Sequence, residues 1–230
     1  VTAAALEMVV STGGTVLAYL AALWLYRRCG RHPLLSPVVT ATLVLTLILE
    51  LTGTAYPDYL GAVLPLTIGL ALATVALAVP LHTASSALLP LWPRLLVLFG
   101  CAAALAITLA TVPLAVAGSP DDVLASALPL SVTTPVTVEI SALIGGDPSL
   151  SAGLAICSGI LGAVLAPRLL TLVGVHDPRA RGIAIGVTSH GIGTSRVLLD
   201  EPETGAWSSA AMVVHALVMT AAVPLVARLL

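Results

Sequence analysis

The sequence predicts an all-α polytopic membrane protein with broken or re-entrant helices and an inverted-repeat architecture of the kind found in secondary transporters. Three observations predict it. Of 230 residues, 58% are hydrophobic and 9% charged, and the mean hydropathy is +1.09, far outside soluble globular usage. The charged residues bound apolar stretches of about 20 residues, the number that crosses a hydrocarbon layer of roughly 30 Å. Several of those stretches are interrupted by Pro, Gly and hydroxyl residues. So few charged side chains could not cover a water-soluble particle, which excludes soluble enzymes and nucleic-acid binders, and the nine basic residues, all Arg, form no basic patch for nucleic acid. Cys29, Cys101 and Cys157 show no metal-ligand spacing, so neither a metal nor another cofactor is expected.

Eight candidate elements follow in order, at about 3–26, 34–53, 60–89, 95–117, 123–145, 149–170, 182–199 and 206–228. The first lacks a basic leader and is followed by Arg27, Arg28 and Arg31, so it reads as a retained span rather than a signal peptide. The third is too long for one span and carries Pro65 and Pro80, with His82 after the second break. The fifth is interrupted by Pro129, Pro135 and Glu139, and the seventh holds Gly186, Gly191, Gly193 and Arg196. Asp147-Pro-Ser149 has the composition of a helix start.

Placing Arg27, Arg28, Arg31, Arg94, Arg168, Arg179, Arg181 and Arg228 all on the cytoplasmic side, as the positive-inside rule asks, requires 123–145 to enter and return on one side. The expectation is therefore a broken hairpin at 123–145 and seven full crossings. The N-terminus lies outside and the C-terminus inside, with Asp200, Glu201 and Glu203 also outside. All of 1–230 reads as one transmembrane domain, with repeat A at about 34–117 and repeat B at about 149–228. A faint echo accompanies this reading: Gly69 pairs with Gly182, and Val112-Pro113-Leu114 with Val223-Pro224-Leu225.

The chemistry concentrates in two segments. Ser131-Val-Thr-Thr-Pro135 sets Ser131, Thr133 and Thr134 beside a helix break, where hydroxyls either bond back to their own helix or line a polar cavity. Thr188-Ser-His-Gly-Ile-Gly-Thr-Ser-Arg196 gathers Ser189, His190, Gly191, Gly193, Thr194 and Arg196. Its glycines permit close backbone approach, His190 can titrate near neutrality, and the Arg196 fork suits a carboxylate. The other openings for Arg196 are snorkelling towards Asp200 or pairing with Glu139. Glu139 itself is either such a partner, an interfacial group, or, like His190, a candidate for proton or cation coupling. No G-x-S-x-G context accompanies Ser and His, so no enzyme is expected.

These segments, with Pro33-Leu-Leu-Ser-Pro37, Gly145-Gly-Asp-Pro-Ser-Leu150, Gly159-Ile-Leu-Gly162 and Gly205-Ala-Trp-Ser-Ser209, resemble the LrgB/CidB family of bacterial membrane proteins. The second half of the plastid glycolate/glycerate transporter is also similar. The resemblance runs from about residue 33 to the end. It implies a multi-pass protein of the bacterial plasma membrane that transports small monocarboxylate anions such as pyruvate, glycolate or glycerate. A small LrgA/CidA-like membrane partner is implied, and a homo-oligomer is compatible. The alternative is a holin/antiholin-like regulator of murein hydrolase activity and autolysis. The family pattern falls on Ser131, Thr133, Thr134, Ser189, His190, Gly191, Gly193, Thr194 and Arg196. One departure stands out: where the family commonly has Lys before SVTTP, this chain has Leu130.

Overall fold

The computed structural model describes residues 3–30, 35, 37–76, 79, 82, 86 and 89–229. Among these every regular element is helical. Contacts divide the chain into two compact units, Val1–Val75 and Ala76–Leu230.

In the first unit, α1 (Ala3–Arg28) ends on Arg27 and Arg28, cations that complement the carbonyl end of a helix. Helix α2 (Pro37–Thr52) stops at Gly53, whose φ of 66° reverses the backbone as residues with a Cβ rarely can. The following α3 (Tyr56–Ala62) is bent by 114° from α2. A bond of 2.7 Å between Thr15 Oγ1 and the Tyr59 hydroxyl ties α3 to α1. Helix α4 (Leu64–Ala76) begins immediately afterwards and accepts Pro65 in its first turn, where no backbone donor is needed. The break expected at Pro80 lies outside the described residues.

The second unit contains α5 (Trp92–Val116), α6 (Asp121–Ala127), α7 (Thr134–Leu143), α8 (Pro148–Leu172), α9 (Pro178–Asp200) and α10 (Pro202–Ala227). A 3₁₀ turn, Leu89–Leu91, precedes α5. The long helices α1, α5, α8 and α10 are each apolar and long enough to cross a membrane, and the bent α2–α3 pair adds up to one more. Leu161, Leu165 and Leu169, one turn apart on α8, are exposed, as are Leu105 and Leu109 on α5. In a water-soluble protein such stripes would be liabilities; here they suit hydrocarbon.

Helices α6 and α7 form two arms of a hairpin. Asp147 N donates to Ser126 Oγ at 2.7 Å, which brings the end of the α7 arm back to α6. The first turn of α8 seats between the arms: Ser151 Oγ donates to the Ser126 carbonyl at 2.8 Å and lies 2.6 Å from Ser141 Oγ. Asp147 caps α8, its Oδ1 accepting from Ser149 N and Leu150 N, which fulfils the helix-start reading of Asp147-Pro-Ser149.

Helix α9 departs from the sequence expectation. Continuous and straight, its 23 residues would span roughly 34 Å. Instead Arg181 Nε near its start lies 3.7 Å from Glu201 Oε2 beyond its end. The chain reverses at His190, where φ is 35° and ψ −129°. The first arm (178–189) runs parallel to α10: a Cβ on Gly182 would lie 2.5 Å from the Thr204 carbonyl oxygen, and one on Gly186 would strike the Ser208 carbonyl. The second arm (191–200) runs back against it, with Gly205 set on the backbone of Leu198 and Thr194 Oγ1 bonded to Ser208 Oγ at 2.7 Å. Glycines at these positions let backbones touch, the packing device of membrane helices.

This reversal corrects the expected topology. Residues 182–199 do not cross, so Asp200, Glu201 and Glu203 lie at the same end of the bundle as Arg179 and Arg181. Arg228, at the far end of α10, lies at the opposite end. The positive-inside rule therefore cannot place Arg181 and Arg228 on one side. The physical source is that the acids at 200–203 do not mark the other face, since Glu201 is the ion-pair partner of Arg181.

The two hairpins sit at opposite ends of α8. Ser151, in the first hairpin's mouth, and Thr171, whose Oγ1 accepts from Arg181 Nη1, are separated by about 30 Å of helix. Their tips meet halfway. Leu128 and Val132 of the first tip pack with Ala103 and Ile107 of α5 and Met219 and Val223 of α10.

Candidate functional site

The first tip is made by Pro129 and Pro135, which bracket five residues and keep the two arms from continuing as one helix. Its freed carbonyls are gathered by Thr137, whose Oγ1 lies 2.9 Å from the Pro129 oxygen and 3.1 Å from that of Val132. Ser131 is turned inward, with Oγ 3.2 Å from His215 Nε2 at the middle of α10. Thr133 starts α7 without capping it, and its Oγ1 is buried without a partner.

The second tip is His190. Among the described residues it is the one non-glycine with positive φ, a backbone state costing on the order of 1–3 kcal/mol. Its ring enters a notch in α8: a Cβ on Gly159 would lie 2.6 Å from His190 Cε1. One turn along, Gly162 receives Ser189, with a hypothetical Cβ 2.5 Å from Ser189 Oγ. His190 is buried, its polar neighbours are the Leu130 backbone and the His215 ring, and its Nε2 has no hydrogen-bond partner. His215 is equally enclosed, tilted against Phe99 at a centroid distance of 6.3 Å, and its Nδ1 is also unpartnered.

The residues singled out by sequence therefore divide. Ser131 and His190 come together at His215, and Thr133 is buried two residues beyond Ser131 in the same tip. Ser189 is buried beside them but faces Gly162 and Gly193, making the reversal compact. Thr134 is half-buried in the first turn of α7. Gly191 is exposed with open space around it. Thr194 is occupied by Ser208. Arg196 is half-buried and donates from Nη1 to the Ala163 carbonyl at 3.2 Å. Glu139 is exposed on α7, so the Arg196–Glu139 pair does not form. Sequence reasoning missed His215, although a lone ionisable residue in an uncharged apolar run is itself a functional signal in a membrane. Ser208 was missed with it.

Chemically, the tips present hydroxyls and imidazoles to a dry interior and leave Thr133 Oγ1, His190 Nε2 and His215 Nδ1 unpaired there. A buried polar group without a partner costs about 1–3 kcal/mol, so a water or ligand that reaches these atoms and supplies partners is favoured there.

Comparison with known proteins bears on what that is. The model of the LrgB-like family matches residues 15–229. The chain belongs to the LrgB-like family. As an LrgB-like protein it is similar to the uncharacterized protein YwbG of Bacillus subtilis, 32% identical over 217 residues and covering 94% of this chain and 96% of that one. An uncharacterized protein of Haemophilus influenzae is 28% identical over 216 residues, covering 94% and 93%. The holin-like protein CidB of Staphylococcus epidermidis is 28% identical over 193 residues, 84% of each chain. No solved structure matches. The family and the apolar helices together make this LrgB-like chain a multi-pass bacterial membrane protein.

Proposed function

We propose that this LrgB-like protein is a carrier, not an enzyme, for small monocarboxylates of the pyruvate, glycolate or glycerate class, bound where the two hairpin tips meet. The observation that supports this most is the cluster of unpaired buried atoms on Thr133, His190 and His215, beside Ser131, halfway between the two mouths. Carriers use broken helices in this way, because irregular backbone at membrane depth is tolerated where it lines a site.

The architecture supports alternating access. Residues 121–172 and 178–227 each form a hairpin followed by a long helix, entered from opposite ends of the bundle. Equivalent positions carry the same residue: Thr137 and Thr194 in the second arms, Ser151 and Ser208 in the mouths, Pro167 and Pro224 inside the long helices, each pair 57 residues apart. We read these as the inverted repeats, a different pairing from 34–117 with 149–228. Arg94, Arg168, Arg179 and Arg181 gather at one end, which assigns that end to the cytoplasm and Asp121, Asp122 and Arg228 to the outside.

The second reading is a holin-like membrane regulator of murein hydrolase activity. It is favoured by the name of the CidB relatives, and the comparisons support it more directly than they support transport. An LrgA/CidA-like small partner fits either reading. Uptake of labelled pyruvate, glycolate and glycerate by proteoliposomes containing the chain, with and without such a partner, separates them. A carrier gives saturable uptake that Ser131→Ala reduces. Absence of uptake from well-folded protein in both preparations refutes the carrier and leaves the regulator.

A further inference from the structure

An anion bound where the tips meet would find no fixed charge there. Each element packed around His190 and His215 can be taken in turn. From α5 the buried side chains are Leu95, Phe99, Ala103, Ile107 and Thr111, none ionisable. From α8 they are Ser151, Ala155, Gly159 and Ala163, and Cys157 is exposed. The first hairpin turns Ser131, Thr133 and Thr137 inward and leaves its one mid-arm acid, Glu139, exposed. On the second hairpin the nearest permanent cation, Arg196, is half-buried and held by the Ala163 carbonyl, a turn of α8 beyond the Gly159 notch. Position 130, adjacent to the tip, carries Leu. The groups that can acquire a positive charge at the unpaired atoms are therefore the two imidazoles.

A carboxylate brought into such surroundings without a countercharge loses several kcal/mol of hydration. The geometry offers a remedy. Each neutral imidazole has one donor and one acceptor nitrogen. His215 Nε2 is engaged with Ser131 and its Nδ1 is open; His190 Nε2 is open as well. One added proton turns a ring into a double donor and supplies the missing cation. We propose that a monocarboxylate binds at the hairpin tips together with one proton held by the His190–His215 pair, so that anion and proton enter as an electroneutral unit. This rests on the carrier reading of the same site. It makes His215 a ligand-binding residue and removes Glu139 from coupling.

The test is calorimetry of the full-length chain in nanodiscs, titrated with pyruvate, glycolate and glycerate in phosphate and in Tris at one pH. The difference in heat between buffers counts protons taken up per anion bound. The expected result is close to one proton per anion, with apparent Kd rising about tenfold per pH unit on the alkaline side. His190→Asn is used because Asn tolerates positive φ, and His215→Gln because its amide can still meet Ser131. The two together abolish proton uptake, and Glu139→Gln leaves it unchanged. Binding without proton uptake, or uptake that survives the double substitution, overturns the inference and leaves the carrier standing. Failure of all three acids to bind folded protein overturns the carrier reading and the inference with it.

Discussion

Replacing Gly159 by Ala should drive the second hairpin off its seat. The added Cβ would lie 2.6 Å from His190 Cε1 and 3.0 Å from both His190 Nδ1 and Ile192 Cδ1. Ordinary carbon contacts are about 3.5–4.0 Å, so the tip must withdraw by roughly 1 Å. The ring cannot simply swing aside, because it is 2% exposed and its backbone is fixed in the reversal. Overpacking of this kind costs about 1–3 kcal/mol. Gly153→Ala is the control on the same helix, since its Cβ would meet nothing within 4 Å. At about 2–4 °C per kcal/mol for a chain of this size, Gly159→Ala should melt about 2–12 °C below Gly153→Ala in detergent. It should also weaken monocarboxylate binding, because His190 carries part of the site. Adding His190→Gly, which removes the ring and accepts φ of 35°, should restore the melting temperature to that of His190→Gly alone. Equal melting of the two alanine variants, or a difference that His190→Gly leaves intact, would refute the seating of His190 against α8.

Ser151→Ala removes bonds to the Ser126 carbonyl and Ser141 Oγ. It should cost about 1–3 kcal/mol in thermal unfolding while leaving solute Kd within about twofold. Gly186→Ala sets a Cβ on the Ser208 carbonyl and 3.1 Å from Met212 N, backbone atoms that cannot rotate away. The expected loss is again about 1–3 kcal/mol, seen as a lower melting temperature. Glu139→Gln should leave uptake and its pH profile unchanged, measured in proteoliposomes, because the carboxylate is exposed and outside the tips.

The membrane class and the two broken segments were legible because composition and helix breakers act locally. Pro129 and Pro135 flank the first tip and Gly191 and Gly193 follow the second, each close to the break it marks, and Asp147 caps α8 with its own side chain. The direction of α9 was not legible. Eighteen residues between Arg181 and Asp200 have the length of a span, and a single backbone reversal at His190 leaves no compositional trace beyond the neighbouring glycines. The reversal is made by long-range contacts: Gly182 and Gly186 on α10, and Gly159 and Gly162 accepting His190 and Ser189. His215 was hidden for a similar reason. A lone imidazole in an apolar run is itself a signal, but what it serves comes from Ser131, 84 positions away.

The doubling back of 178–200 carries the account, since it brings His190 to His215 and opposes the two hairpins. Single cysteines at Asp121, Arg179, Glu203 and Arg228, all exposed, test it in a background lacking Cys29, Cys101 and Cys157. Labelling in oriented vesicles with a membrane-impermeant thiol reagent should place Arg179→Cys and Glu203→Cys on one side, and Asp121→Cys and Arg228→Cys on the other. Labelling of Arg179→Cys and Glu203→Cys from opposite sides would mean that α9 crosses the membrane, and the site described between the tips would not exist.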